Sequence, residues 1–175
     1  MKKNAWLMQR YRLLEKIGES RGSIIYKAKD ESNGNFVAVK QLREPISDMY
    51  IEDLLLLRKN IEQLKALDHE GVVRIFELLE DEGKCCIVME FLEGETLAER
   101  MKEQGALSPE KALDLIVKLL NALDYVHEEG ILHRDIKPSN LFLTGTAKAE
   151  RIKLLDFGMS DFDGSSDSNA VQGTL

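Results

Sequence analysis

The stretch His133-Arg134-Asp135-Ile136-Lys137-Pro138-Ser139-Asn140 limits what this chain can fold into more than any other feature. Pro138 has no N–H and fixes φ, so the segment cannot run on as a helix and must be a loop. Ile131 and Leu132 precede it and Leu141-Phe142-Leu143 follow it, so apolar chain anchors the loop at both ends. Within it sit a proton acceptor (Asp135), a point charge suited to phosphate (Lys137) and an amide oxygen suited to a hard cation (Asn140). Taken singly, each reads as a solvated loop group. Their combination is what needs explaining.

The 175 residues predict one domain or slightly more. With 43% apolar and 31% charged residues the chain can bury a core and stay soluble. The net charge of −7, without any long basic run, argues against nucleic acid or anionic membrane as main partners. No apolar run approaches the roughly 18 residues of a membrane helix, and the first ten residues lack a signal-peptide core, so a cytoplasmic location is expected. The only cysteines, Cys85 and Cys86, are adjacent. On a strand they point to opposite faces, which disfavours a mutual disulfide and fits a reducing compartment.

Residues 11–29 read as two short strands around Gly18-Glu19-Ser20-Arg21-Gly22-Ser23. Asn33-Gly34 is a hairpin signal leading into the strand Phe36-Val37-Ala38-Val39-Lys40. Ser47 or Asp48 is expected to cap a helix over about 49–67, with Ile51, Leu54, Leu57, Ile61, Leu64 and Leu67 as its buried face. Residues 72–80 and 84–89 read as strands joined at Asp81-Glu82-Gly83, followed by the acidic connector Glu90-Phe91-Leu92-Glu93-Gly94. A short helix is expected over 96–104, ended by Gly105. Ser108-Pro109-Glu110 opens a longer one that Gly130 stops, with Leu113, Ile116, Val117, Leu120, Leu123 and Val126 as its buried stripe. Ile152-Lys153-Leu154-Leu155 reads as a strand delivering Asp156-Phe157-Gly158, a carboxylate on a loop suited to Mg²⁺.

Taken together, these pieces resemble the protein kinases, of the serine/threonine type, from about residue 11 to the end of the chain. The string 133–140 resembles the H-R-D-L-x-x-x-N catalytic loop, with Ile136 in the Leu position. Val37-Ala38-Val39-Lys40 resembles the strand that carries the phosphate-binding lysine, and Asp156-Phe157-Gly158 the D-F-G segment. The resemblance implies an α+β, protein-kinase-like fold: a five-stranded antiparallel N-lobe sheet with one long helix, plus a truncated, mainly helical C-lobe. It implies an N-terminal extension over 1–10, an N-lobe over 11–89, a hinge over 90–94 and a partial C-lobe over 95–175.

The implied activity is phosphoryl transfer from Mg²⁺–ATP to a protein Ser or Thr hydroxyl. The alternative is a pseudokinase-like nucleotide-binding or docking module without turnover. Asp135 and Lys137 would be catalytic, Asn140 and Asp156 would hold Mg²⁺, and Lys40 would hold the ATP phosphates. Gly18, Ser20, Gly22 and Ser23 would cover the phosphates. Ile17, Ile25 and Ala38 above and Phe142 below would sandwich the base, with Met89 behind it and the main chain of Glu90 and Leu92 beside it. The family's G-x-G-x-x-G maps to Gly18-x-Ser20-x-x-Ser23, which implies weaker or slower nucleotide binding; the serine hydroxyls offer donors to phosphate.

Aligned on Asp68-His69, Asn60 stands where the family carries a helix glutamate that pairs with the strand lysine. Glu62 lies about 200° further round, and Glu52 would need a shifted helix. Ser160, Ser165, Ser166 and Ser168 fall in the implied activation loop, and Gly173-Thr174 resembles the segment before A-P-E. No A-P-E follows, so the resemblance implies a fragment or a shortened kinase, with apolar surface exposed on the helix after Ser108 and self-association through it.

Overall fold

The computed structural model describes residues 6–146 and 149–157. Six strands, β1 (Trp6–Leu7), β2 (Tyr11–Glu19), β3 (Ser23–Asp30), β4 (Phe36–Pro45), β5 (Ile75–Asp81) and β6 (Lys84–Glu90), form one antiparallel sheet in the order β1-β2-β3-β4-β6-β5. Five strands were expected. The sixth, β1, comes from the segment read as an N-terminal extension: the chain reverses through Met8 and Gln9, both at positive φ, and pairs Leu7 with Tyr11. Leu7 is buried, and this explains why the segment joins the sheet.

The sheet curls until its two edges meet. The Met8 N–H donates to Asp81 Oδ2 at 3.1 Å, Arg10 reaches Glu77 at 2.9 Å and Asp30 at 2.7 Å, and the Tyr11 hydroxyl donates to Glu77. Arg10 and the Ser32 hydroxyl and N–H together hold the Asp30 carboxyl well below the usual carboxylate range, against the opposing pull of its burial. Inside the curl Leu7, Tyr11, Ala28, Val37, Val39, Cys86 and Val88 form a small core. Cys85 points to the other face, into the main core, so the two neighbouring thiols occupy different interiors. Both are free, and burial pushes each thiol up to about 11.

Helix α1 (Ile51–Lys65) packs Leu57, Ile61 and Leu64 beneath the sheet. It begins later than expected, because Ile46–Asp48 forms a separate turn of 3-10 helix in which Ser47 donates to Asp48 at 2.9 Å. Tyr50 therefore occupies the N-cap without a side-chain bond. Ile51 is 78% exposed, so the apolar stripe engages the core only from Leu54 onward. β5 also starts late, at Ile75. Val73 instead donates its N–H to Leu154 at 3.0 Å, and Val72 makes a parallel bridge with Leu154.

The second half holds α2 (Leu97–Gln104), α3 (Pro109–Glu128) and a three-stranded sheet of β7 (Gly94–Thr96), β8 (Leu141–Thr146) and β9 (Ala149–Leu154). Thr96 and Glu99 close a capping box on α2, and Ser108 caps α3 through the Lys111 N–H, with Pro109 at the first helical position. Gly130 follows α3 at φ 75°. Gly71 lies against α3 so closely that a Cβ there would sit 2.8 Å from Ala122.

Two opposite faces of α3 are apolar. Leu115, Ala122 and Val126 are buried and Leu123 packs against the core. Leu113, Ile116, Val117 and Leu120, expected in the buried stripe, are 49–63% exposed. Residues two apart on a helix differ by about 200°, so the set around Leu113 and the set around Leu115 cannot face one core.

Candidate active site

The loop 133–140 is held from both sides. His133 is 2% exposed, with its ring 4.7 Å from that of Phe157. Its Nε2–H donates to the Leu155 carbonyl at 2.6 Å, and Nδ1 accepts the Asp135 N–H at 3.2 Å. Burial holds His133 below the ordinary imidazole range, against the pull of those bonds and of the nearby carboxylates. The neutral ring thus joins the loop 133–140 to the chain around Asp156.

Pro138–Asn140 turns as a 3-10 helix, which brings Asn140 back toward Asp135. The Asn140 amide donates to the Asp135 carbonyl at 2.8 Å and to its Oδ2 at 2.9 Å. Lys137 Nζ lies 2.7 Å from the same Oδ2. Partial burial pushes the Asp135 carboxyl upward, but the Lys137 and Asn140 bonds and the Lys137 charge outweigh it, so the group sits below its ordinary range and is ionised at neutral pH. Arg134 and Asp156 both hold positive φ, 64° and 57°. Such backbone collects where a loop is over-determined by its surroundings.

Lys40, at the middle of the β4 ladder, is 1% exposed. Its Nζ meets Asp156 Oδ1 at 2.8 Å. The Leu155 N–H donates to the Asn140 carbonyl at 2.9 Å, so the chain around Asp156 and the loop of Asp135 are tied directly. Asn60 lies on the inward side of α1, beside Phe157 and Leu64 in a small pocket of about 170 Å³, and carries no charge. Glu62 pairs with Lys65 at the surface and Glu52 is exposed, so neither reaches Lys40.

Between the two sheets opens a cleft of about 380 Å³. Ile17, Ile25 and Ala38 line it above and Phe142 and Leu155 below, with Met89 and Val73 behind. Glu90, Leu92, Gly18, Ser20, Ser23, Asp135, Lys137, Asn140 and Asp156 line it too. Nearly every residue named from sequence therefore meets here. Gly22 and Lys40 are the exceptions: the carbonyl of the glycine accepts the Arg43 N–H at 2.8 Å, which turns it toward β4. Lys40 lies behind the wall and reaches the cleft through Asp156.

Sequence reasoning treated Ser20 and Ser23 as donors to phosphate. Their hydroxyls lie 2.9 Å apart, and the Ser23 N–H donates to Ser20 Oγ at 3.1 Å. The serines thus brace their own hairpin, and Ser23 is buried.

Two features were missed. Thr96 and Glu99 line the cleft, and the T-x-x-E signature of a capping box was there to find. Lys153 was read only as a strand residue. Its Nζ bonds Glu90 Oε1 at 2.5 Å and the Val72 carbonyl at 3.1 Å, and Glu90 Oε1 also accepts the Arg74 N–H at 2.8 Å. No sequence signal marks that bridge. The expected activation-loop serines, Gly158 and Gly173-Thr174 lie outside the described residues.

Comparison with known proteins agrees with this geometry. The family model described as protein kinase domain matches residues 11–175. The chain is 35% identical over 153 residues to the serine/threonine-protein kinase pkn2 of Myxococcus xanthus, covering 86% of this chain and 18% of that one. It is 34% identical over 168 residues to the probable serine/threonine-protein kinase CPE1738 of Clostridium perfringens, covering 96% and 24%. Among solved structures, the PknI kinase domain of Mycobacterium tuberculosis superposes with a TM-score of 0.78 at 25% identity, over 91% of this chain and 64% of that one. Rad53 in complex with AMP-PNP does so at 0.74 and 28%, over 86% and 38%. The chain thus spans less than a quarter of the length of these two curated relatives.

Proposed function

This chain belongs to the protein kinase family, and on that premise we propose that it is the catalytic part of an ATP-dependent serine/threonine protein kinase. One observation carries the reading. An apolar slot and four polar groups (Asp135, Lys137, Asn140 and Asp156) line a single cleft whose volume of about 380 Å³ falls within the usual range for a small-molecule site.

The adenine ring lies between Ile25 and Ala38 above and Phe142 and Leu155 below. The Glu90 N–H is already given to the Arg74 carbonyl, so the main-chain contact of Glu90 with the base falls to its own carbonyl, and that of Leu92 to its N–H. Lys40 takes the phosphates. The donor set fits Mg²⁺, a hard cation that prefers a few oxygens plus phosphate. Both amide hydrogens of Asn140 serve Asp135, which leaves its carbonyl oxygen for a cation, and Asp156 supplies a carboxylate. When bound, Mg²⁺ neutralises phosphate charge. Asp135 orients the acceptor hydroxyl and takes its proton; Lys137 stabilises charge on the transferred group. Positioning and electrostatics are most of what such a transfer asks of the protein.

The acceptor is a protein Ser or Thr, supported by Lys137 two residues after Asp135 and by the relatives named above. The buried free cysteines fit a reducing compartment, which we take to be the cytoplasm. The exposed α3 face supports self-association of the isolated chain.

Transfer of labelled phosphate from Mg²⁺–ATP to a library of Ser-, Thr- and Tyr-containing peptides tests the activity. Label is expected on Ser or Thr, and Asp135→Asn should lower the rate by about 10²–10⁴. Nucleotide binding without transfer to any acceptor would favour the non-catalytic module, which Asn60 in place of a helix glutamate supports.

A further inference from the structure

Lys40 is a buried cation without a helix carboxylate. Among the described residues its one ion pair is with Asp156, at 2.8 Å. The cleft side of the pair is Asp156, which is 29% exposed and lines the cleft, while the Lys40 side chain is 1% exposed. A buried charge must be paired, and Asn60 cannot do it. Glu62 and Glu52 are turned away, so the loop carboxylate has taken over the duty.

Resting on the nucleotide reading above, the geometry points to Asp156 doing two jobs in turn. In the empty cleft it neutralises Lys40. When nucleotide enters, the phosphates replace it on Lys40 and it turns to the cation. The consequence is particular to a chain with Asn60. Without a divalent cation, a nucleotide that captures Lys40 strands the Asp156 carboxylate beside its own phosphates. Nucleotide and cation binding are therefore strongly coupled: the cation contributes by accepting the carboxylate that Lys40 releases. A helix glutamate would hold Lys40 throughout and remove much of this dependence.

The arrangement is tested by measuring binding of a non-hydrolysable ATP analogue by calorimetry, with excess Mg²⁺ and with EDTA. The proteins are the full chain, Asp156→Asn, Lys40→Met and the double variant, each first shown to melt cooperatively. Asn keeps an acceptor oxygen for Lys40 without the charge. In EDTA, Asp156→Asn should bind about tenfold more tightly than the parent, an ordinary size for coupling between contacting groups. That gain should be several-fold smaller in the Lys40→Met background, where only the repulsion between carboxylate and phosphate remains to be relieved. Loss of a cation ligand alone would not produce a gain without cation, and simple removal of a repelling charge would give the same gain with and without Lys40.

No gain in Asp156→Asn, or an equal gain in both backgrounds, overturns the double role while leaving the nucleotide site intact. If the parent binds no nucleotide with or without Mg²⁺, the reading of the cleft falls, and this inference with it. Asn60→Glu supplies the converse: the parent's ratio of affinities with and without Mg²⁺ should shrink, and an unchanged ratio would count against the account.

Discussion

Lys40 and Asp156 show how much one residue's partner decides. Their pairing is asymmetric, because Lys40 is sealed in the β4 ladder and Asp156 is partly open to the cleft. Removing the buried charge and removing its counter-charge should therefore differ in sign. Lys40→Met replaces a buried cation with an apolar side chain of similar length and should be neutral or stabilising. Asp156→Ala leaves the cation alone in the interior and should cost about 3 kcal/mol, the low end for a broken buried pair because Asp156 is partly exposed. Denaturant melts of both variants check this; equal losses would mean the pair is not what neutralises Lys40. Lys40, Asp135, Asn140 and Asp156 were legible in the sequence because each falls in a short string that resembles a protein-kinase motif. The Lys40–Asp156 pairing was not legible. The resemblance put Asn60 where the family carries an acid, but which acid meets Lys40 instead depends on how the strand and the loop after β9 meet.

At the scale of elements, β9 is held to the end of β6 and to the chain before β5 by more than backbone. Lys153 bridges the Glu90 carboxylate and the Val72 carbonyl, while the Leu154 N–H donates to the Gly71 carbonyl at 2.8 Å. Lys153 lies three residues before Asp156, and Glu90 offers the main-chain contact proposed for the base. The bridge therefore fixes the spacing between the sites proposed for the base and for the cation. Lys153→Met is expected to raise the KM for ATP about tenfold with little change in kcat, and Lys153→Arg to restore most of the loss, since a hydrogen-bonded ion pair of this kind is worth about 1.5–3 kcal/mol. A fall in kcat with unchanged KM would contradict this positioning role.

Element identities were largely legible. Hydrophobic periodicity and the Ser108-Pro109 and Gly130 signals placed α3, and Asn33-Gly34 placed the β3–β4 turn. Boundaries shifted where tertiary contacts competed. Val72 and Val73 left β5 to bond β9, and Ser47 and Asp48 bonded each other in place of capping α1. β1 was missed because two residues carry no period; only the closure of the curled sheet gives Leu7 a reason to be buried.

The whole molecule has one cleft where the sequence motifs meet, and along α3 an apolar surface that its described residues leave uncovered. Leu113, Ile116, Val117 and Leu120 make a continuous apolar stripe along α3. The isolated chain should self-associate through it, and Ile116→Lys with Leu120→Glu should shift sedimentation toward monomer without lowering the melting temperature. A parent that stays monomeric at high concentration would count against this.

The central claim is that the cleft is a formed Mg²⁺–ATP site. Thermal melting of the parent chain and of Ala38→Phe, which fills the roof of the slot, with rising Mg²⁺–ATP tests it most directly. A ligand at 100 times its Kd stabilises the folded state by about 2.7 kcal/mol, and a chain of this size melts about 2–4 °C higher per kcal/mol. The account predicts a rise of about 5–10 °C for the parent and a flat response for a folded Ala38→Phe. A parent that melts cooperatively and does not shift at millimolar Mg²⁺–ATP would contradict it.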